Sequence, residues 1–113
     1  MQPRIYKLKD QEWIATRKDL TKGVFRKSLI PGGLTEVKIV LTRVKPGGEF
    51  SSHTDPYHHV FFILEGQGEG WLGERTYEIE PGLVVEVPAG EPHGYKNSGE
   101  VDLVLITVNI PRL

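Results

Sequence analysis

A small all-β barrel or sandwich is the fold this sequence predicts, and three observations predict it. Thirteen Gly and eight Pro divide the 113 residues into short pieces, most of them bounded by turn dipeptides. The pieces between the turns are rich in Val, Ile, Leu, Thr and aromatic residues, at the spacing of consecutive strands. Three of the four histidines and one acidic residue fall into two fixed spacings within that β-structure. These are His53-x-Asp55-x-x-x-His59 and Gly82-x5-Pro88-x-Gly90-x-x-His93-x-x-x-Asn97, and together they suggest one buried metal ion inside a small barrel.

The elements follow in chain order. Residues 1–33 read as an N-terminal arm. Residues 4–8 are strand-like, and only residues 8–20 could hold a helix. Asp10-Gln11-Glu12-Trp13 hints at a capped turn there, but the apolar periodicity is poor and the segment stays with the arm. Pro31-Gly32-Gly33 is a turn, and residues 34–113 form the barrel. Its clearest strands are residues 34–44, 59–64, 75–80, 83–87 and 101–110. They are separated by turns at Pro46-Gly47-Gly48, Gly66-Gln67-Gly68, Pro81-Gly82, Pro88-Ala89-Gly90 and Asn97-Ser98-Gly99. Leu72-Gly73-Glu74-Arg75 suits a tight hairpin with Gly at the first turn position. There is no internal repeat, low-complexity stretch or helix-turn-helix pattern, so the chain reads as a single domain.

Bulk composition excludes several classes. A net charge of −1, with 38% hydrophobic and 26% charged residues, gives no basic field for nucleic acid or anionic lipid. No apolar run approaches the ~20 residues needed to span a bilayer, and the N-terminus lacks the apolar core of a signal peptide. Cysteine is absent, which removes disulfides, thiolate nucleophiles and Cys-type zinc sites. The expected setting is the cytoplasm, with a small molecule rather than nucleic acid or membrane as partner.

Strand alternation places His53 and Asp55 on one face. Pro56-Tyr57 turns the chain so that His59, opening the next strand, can meet them. His93 follows a Pro-x-Gly turn that aims it. Neutral imidazoles and a carboxylate suit Zn, Fe, Mn, Ni, Co or Cu better than Ca or Mg. His58 has the opposite parity to His59 and points away from the cavity. Phe61 and Ile63 share parity with His59 and line an apolar pocket. Either Lys38 or Arg43 can face inward, but not both. Tyr95 shares parity with His93 and is the best-placed candidate for an acid/base role.

Both spacings resemble the two motifs of the cupin superfamily, over about residues 34–110. In the first motif His53 matches the first histidine, Asp55 the second and His59 the glutamate, with Gly66 closing it; Gly48 lies one residue nearer His53 than usual. Gly82, Pro88, Gly90, His93 and Asn97 match the second motif throughout. The resemblance implies a double-stranded β-helix, or jelly-roll, barrel. It also implies one divalent transition metal per chain and a homodimer in which residues 4–8 can be exchanged as a strand. Relative to the usual three-His-one-Glu set, the ligands His53, Asp55, His59 and His93 keep three nitrogens and one oxygen but exchange positions. Asn97 is a turn-stabilising residue before a catalytic one. His53-x-Asp55…His93 also resembles the two-His-one-carboxylate triad of non-haem iron oxygenases. The 2-oxoglutarate-dependent version is set aside, because Asp102-Leu103-Val104 stands where its cosubstrate-binding cation belongs.

Two enzymatic roles follow for such a metal. The leading expectation is dioxygenase-type oxidation of a small enolic or catecholic molecule. The alternative is Lewis-acid chemistry, giving an isomerase, epimerase or lyase of a sugar or small acid, which needs a base near the metal. A third role is binding of a small molecule or metal without turnover.

Overall fold

The computed structural model describes residues 3–32 and 35–112. Gly33 of the first Pro-Gly turn and Leu34, where the sequence begins its first barrel strand, lie outside them. Among the described residues there is no α-helix. A 3₁₀ turn at Leu8–Asp10 is followed by β1 (Ile14–Ala15), β2 (Thr21–Ser28), β3 (Lys38–His53), β4 (His58–Glu65), β5 (Gly68–Leu72), β6 (Arg75–Ile79), β7 (Val84–Val87), β8 (His93–Lys96) and β9 (Leu103–Ile110). The central order is β6-β5-β8-β3-β9-β4-β7, with β2 also paired to β3 and β1 to β2.

β3 belongs to both halves of the barrel. Its first half pairs with β9 (Val40↔Thr107, Thr42↔Leu105) and its second half with β8 (Phe50↔Tyr95, His53↔His93). The strand therefore runs through Pro46-Gly47-Gly48, which the sequence reads as a turn. The chain bends there without leaving the ladder. Gly47 adopts φ +78°, and the Gly48 carbonyl and Gly47 N–H exchange hydrogen bonds with the Asn97 backbone (2.9 and 3.1 Å). No side chain fits at residue 48, since a Cβ would fall 2.8 Å from the Lys22 and Lys45 carbonyl oxygens.

Residues 4–8 are not a strand in this structure. They run extended into the 3₁₀ turn and lie exposed. Arg4 donates to the Pro31 carbonyl (2.6 Å) and Tyr6 to that of Leu29 (2.5 Å). Residues 21–28 of the arm form β2, paired antiparallel along β3 from Thr21↔Phe50 to Ser28↔Val40. Trp13 sits on the outer face with Arg43 4.4 Å and Lys27 4.6 Å from its ring. The Leu72-Gly73-Glu74-Arg75 hairpin forms as the sequence predicts, with Leu72 opposite Arg75 and Gly73 at φ +61°.

Alternation decides which side chains fill the interior. Val44, Phe61, Ile63, Leu103 and Leu105 from one half meet Ile79 and Tyr95 from the other, all at 4% exposure or less. Each such burial contributes about 1.5–3 kcal/mol. This closed apolar end leaves the opposite end to the polar residues.

Candidate metal centre

His53 ends β3, Asp55 sits in the following loop, and His59 and His93 occupy the starts of β4 and β8. The pairing of His53 with His93 and of β4 with β7 around the barrel brings all four to the open end. Their imidazoles converge on one atom. The Nε2 atoms of His53, His59 and His93 lie 3.0, 2.9 and 3.5 Å from Asp55 Oδ2. One donor atom from each of His53, Asp55 and His93 falls within a 4.8 Å group. Asp55, His59 and His93 are all buried.

The other ring nitrogens fix what the Nε2 atoms can be. Nδ1 of His53 faces the Ser51 carbonyl (2.7 Å), Nδ1 of His93 the Glu91 carbonyl (2.8 Å), and Nδ1 of His59 the Asn109 amide oxygen (2.7 Å). With its hydrogen on Nδ1 an imidazole offers the Nε2 lone pair to an ion, and with the hydrogen on Nε2 the same ring donates to Asp55 Oδ2. Three imidazole nitrogens gathered about one carboxylate oxygen form a donor set that could hold a divalent transition-metal ion. Two atoms each about 2.1 Å from one ion and at right angles lie about 3.0 Å apart, close to the separations found here. The donor set thus fits a borderline transition-metal ion, and the Nδ1 acceptors are the outer partners such ligands use.

The electrostatics keep these groups as ligands. Burial pushes His93 down to about 4, assisted by neighbouring His53 and His59 against the opposing pull of the Glu91 carbonyl and Asp55. It is therefore neutral at pH 7. For Asp55 burial alone would raise the pKa. Hydrogen bonds from His59 and Arg17 and the charges of His53 and His59 outweigh that and hold it below 3.8. Arg17 donates to Asp55 Oδ1 at 2.8 Å.

The site opens into a cavity of about 230 Å³ walled by Phe50, Tyr57, Phe61 and Tyr95, with Thr42, Thr107 and Asn109 as neutral polar groups. Phe50 stacks on His53 at 4.6 Å, and Tyr57 meets the His59 ring edge-on at 5.0 Å. Tyr95 lines this cavity with its ring edge-on to Phe50 and Phe61. Burial, with Tyr77 nearby, raises its phenol far above the ordinary value of 10.0. The phenol is therefore protonated at neutral pH. Tyr57 is likewise raised, by burial and by Asp55. Of the pair Lys38 and Arg43, Lys38 lines the cavity, while Arg43 packs outside over Trp13. Phe61 lines the cavity as alternation predicts, whereas Ile63 lies deeper in the core. His58 points away and accepts the Ala89 N–H at 2.9 Å. Asn97 is 1% exposed and ties the bend together, donating to Val44 and Val101 and accepting from Gly99.

Sequence reasoning missed Arg17, Arg26 and Asn109. Asn109 was within reach, because it shares parity with Leu105 and Thr107 on β9. Arg17 was not: it lies in an aperiodic stretch 38 residues from its partner, in a left-handed conformation (φ +35°) rare outside glycine.

The cupin domain family, Cupin_2, matches residues 40–109. The chain belongs to the cupin family. This cupin is 33% identical over 90 residues to auxin-binding protein 1 of Arabidopsis thaliana, covering 70% of this chain and 45% of that protein. It is 27% identical over 66 residues to the 5-nitrosalicylic acid 1,2-dioxygenase of a Bradyrhizobium species, covering 58% and 32%. The cupin thus spans less than half the length of these curated relatives. Among solved structures, the polyketide cyclase RemF of Streptomyces resistomycificus superposes with a TM-score of 0.85 at 26% identity, covering 99% of this cupin and 81% of that chain. No helix among the described residues is long and apolar enough to cross a membrane.

Proposed function

We propose that this cupin is a mononuclear metal-dependent oxygenase acting on a small enolic or phenolic molecule. The observation that carries this reading is the composition of the cavity. The imidazoles of His53, His59 and His93 gather about the Asp55 carboxylate, and no other group lining the cavity is suited to act as a base near neutral pH. Both phenols there are held protonated, and the remaining ionisable groups are Arg and Lys. A redox-active ion at that point would hold an enol or phenol oxygen of the substrate beside O2, the proton displaced on binding leaving to solvent. The protein supplies three things. The Nδ1 acceptors orient the imidazoles, Phe50 and Phe61 exclude water, and the protonated Tyr57 and Tyr95 can donate to substrate oxygens. The relative named for oxidation of 5-nitrosalicylic acid supports this reading.

A second reading, in which the ion polarises a carbonyl for isomerisation, lyase chemistry or cyclisation, is favoured by the extent of the match to a polyketide cyclase. It requires a base near the metal, and Tyr95 is protonated at neutral pH. Binding without turnover, as the name auxin-binding protein suggests for that relative, is the third. In the leading reading the protein works in the cytoplasm as a homodimer.

Elemental analysis of protein purified without a metal-affinity tag, with His93→Ala alongside, tests the proposal. About one Fe, Mn or Cu per chain, lost in the variant and accompanied by O2 uptake on enolic or phenolic compounds, is the expected result. Zinc or nickel with no O2 uptake moves the assignment to the second reading. No metal after addition of divalent ions overturns both enzymatic readings.

A further inference from the structure

The cavity carries more positive charge than its metal ligands use. Arg17, Arg26 and Lys38 all line it, and Asp55 is the one carboxylate among its lining residues. Arg17 is committed to Asp55 Oδ1. Among the described residues, neither Arg26 nor Lys38 has a carboxylate within ion-pair distance.

The ladder explains why both face inward. Arg26 stands opposite Thr42, whose hydroxyl meets that of Thr107 inside the barrel at 3.3 Å. Lys38 stands opposite Asn109, and Asn109 opposite His59. Lys38, Asn109 and His59 thus form one row across β3, β9 and β4. Two strand spacings separate the Lys38 and His59 backbones by about 10 Å, with Asn109 between them against the His59 ring. Arg26 is half-buried on β2, Lys38 is exposed at the mouth, and the wall between is aromatic. Two unpaired cations beside a small desolvated volume attract a ligand that brings its own negative charge, because bound charge is strongly favoured only when compensated.

We propose that Arg26 and Lys38 are specificity-determining residues that select a small organic acid. They hold its carboxylate while its ring or enol portion lies against Phe61 and Tyr57. This names the substrate class of the proposed oxygenase as hydroxy-aromatic or enolic acids rather than neutral catechols or diketones. Only that extension rests on the metal-dependent reading; the charge selection does not.

The test compares isosteres that differ in charge. Titration calorimetry of the metal-free protein with benzoate and with benzamide isolates the carboxylate. Salicylate and salicylamide do the same for metal-loaded protein. The double variant R26Q/K38Q is expected to weaken benzoate and salicylate by about tenfold or more and leave the two amides unchanged. The charge-preserving R26K/K38R is expected to retain binding, and unchanged metal content and melting temperature show that the site is intact. Equal loss for acid and amide, no loss for either, or no benzoate binding to the wild type at millimolar concentration overturns the inference. If the wild type takes up no metal, the proposed oxygenase falls, and the benzoate–benzamide comparison still decides the charge selection.

Discussion

His59 is oriented within the candidate metal centre by Asn109, whose amide oxygen lies 2.7 Å from its Nδ1. Asn109→Leu preserves the approximate volume and deletes the acceptor. We expect metal affinity to fall about 10–100-fold, read by competition with a chromogenic chelator, with the fold retained. His93 gives a pH dependence. Its folded pKa is pushed down to about 4 by burial from an ordinary 6.5. Between those values the unfolded chain takes up a proton that the folded chain refuses, so folding is increasingly disfavoured as pH falls. The metal-free protein should therefore lose stability on acidification from pH 6.5 toward 4. His93→Gln should flatten that segment of the denaturation profile; an identical profile would show that His93 is not the group responsible. At this scale the clustering of His53, Asp55, His59 and His93 was legible in the sequence, because type and spacing carry the signal. Arg17 and Arg26 could not: an arginine facing a cavity looks like any solvated arginine until the opposing strand is known.

The element on which the site depends is β3, whose two halves serve different partners. The bend at Pro46-Gly47-Gly48 is held from outside by Asn97, through hydrogen bonds of 2.9 Å to Val44, 2.8 Å to Val101 and 2.9 Å from Gly99. Asn97→Ala leaves these buried groups unpaired and should cost about 3 kcal/mol, measured as a lowered denaturant midpoint at unchanged slope. Strand alternation made the inward faces of β4, β7 and β9 legible in the sequence. Continuity through Pro46-Gly47-Gly48 was not legible, because Pro and Gly in series signal a turn unless a distant backbone pairs across them, as Asn97 does. The β2 strand escaped notice for a related reason. Thr21-Lys22-Gly23 is weakly β-forming, and the ladder to β3 supplies what propensity does not.

On the scale of the molecule, one sheet face remains uncovered. β4 reads Val60-Phe61-Phe62-Ile63-Leu64, apolar on both sides, and such a strand belongs in a sheet with both faces covered. Phe61 and Ile63 enter the core, whereas Phe62 (39% exposed) and Leu64 (47%) face outward beside Val84 (51%), which stands opposite Phe62. A second copy presenting the same patch satisfies this face with an isologous contact. Sedimentation analysis should find a dimer for the wild type and a folded monomer for Phe62→Lys with Leu64→Lys; a monomeric wild type would refute it.

The row Lys38–Asn109–His59 also carries an order in time. Asn109 is synthesised 50 residues after the His59 it anchors, and Thr107 follows its partner Thr42 by 65. On a nascent chain His59 emerges before Asn109, whereas His53 and His93 follow the Ser51 and Glu91 carbonyls that face their Nδ1 atoms. The His59 corner of the candidate site is therefore complete only once β9 has paired between β3 and β4.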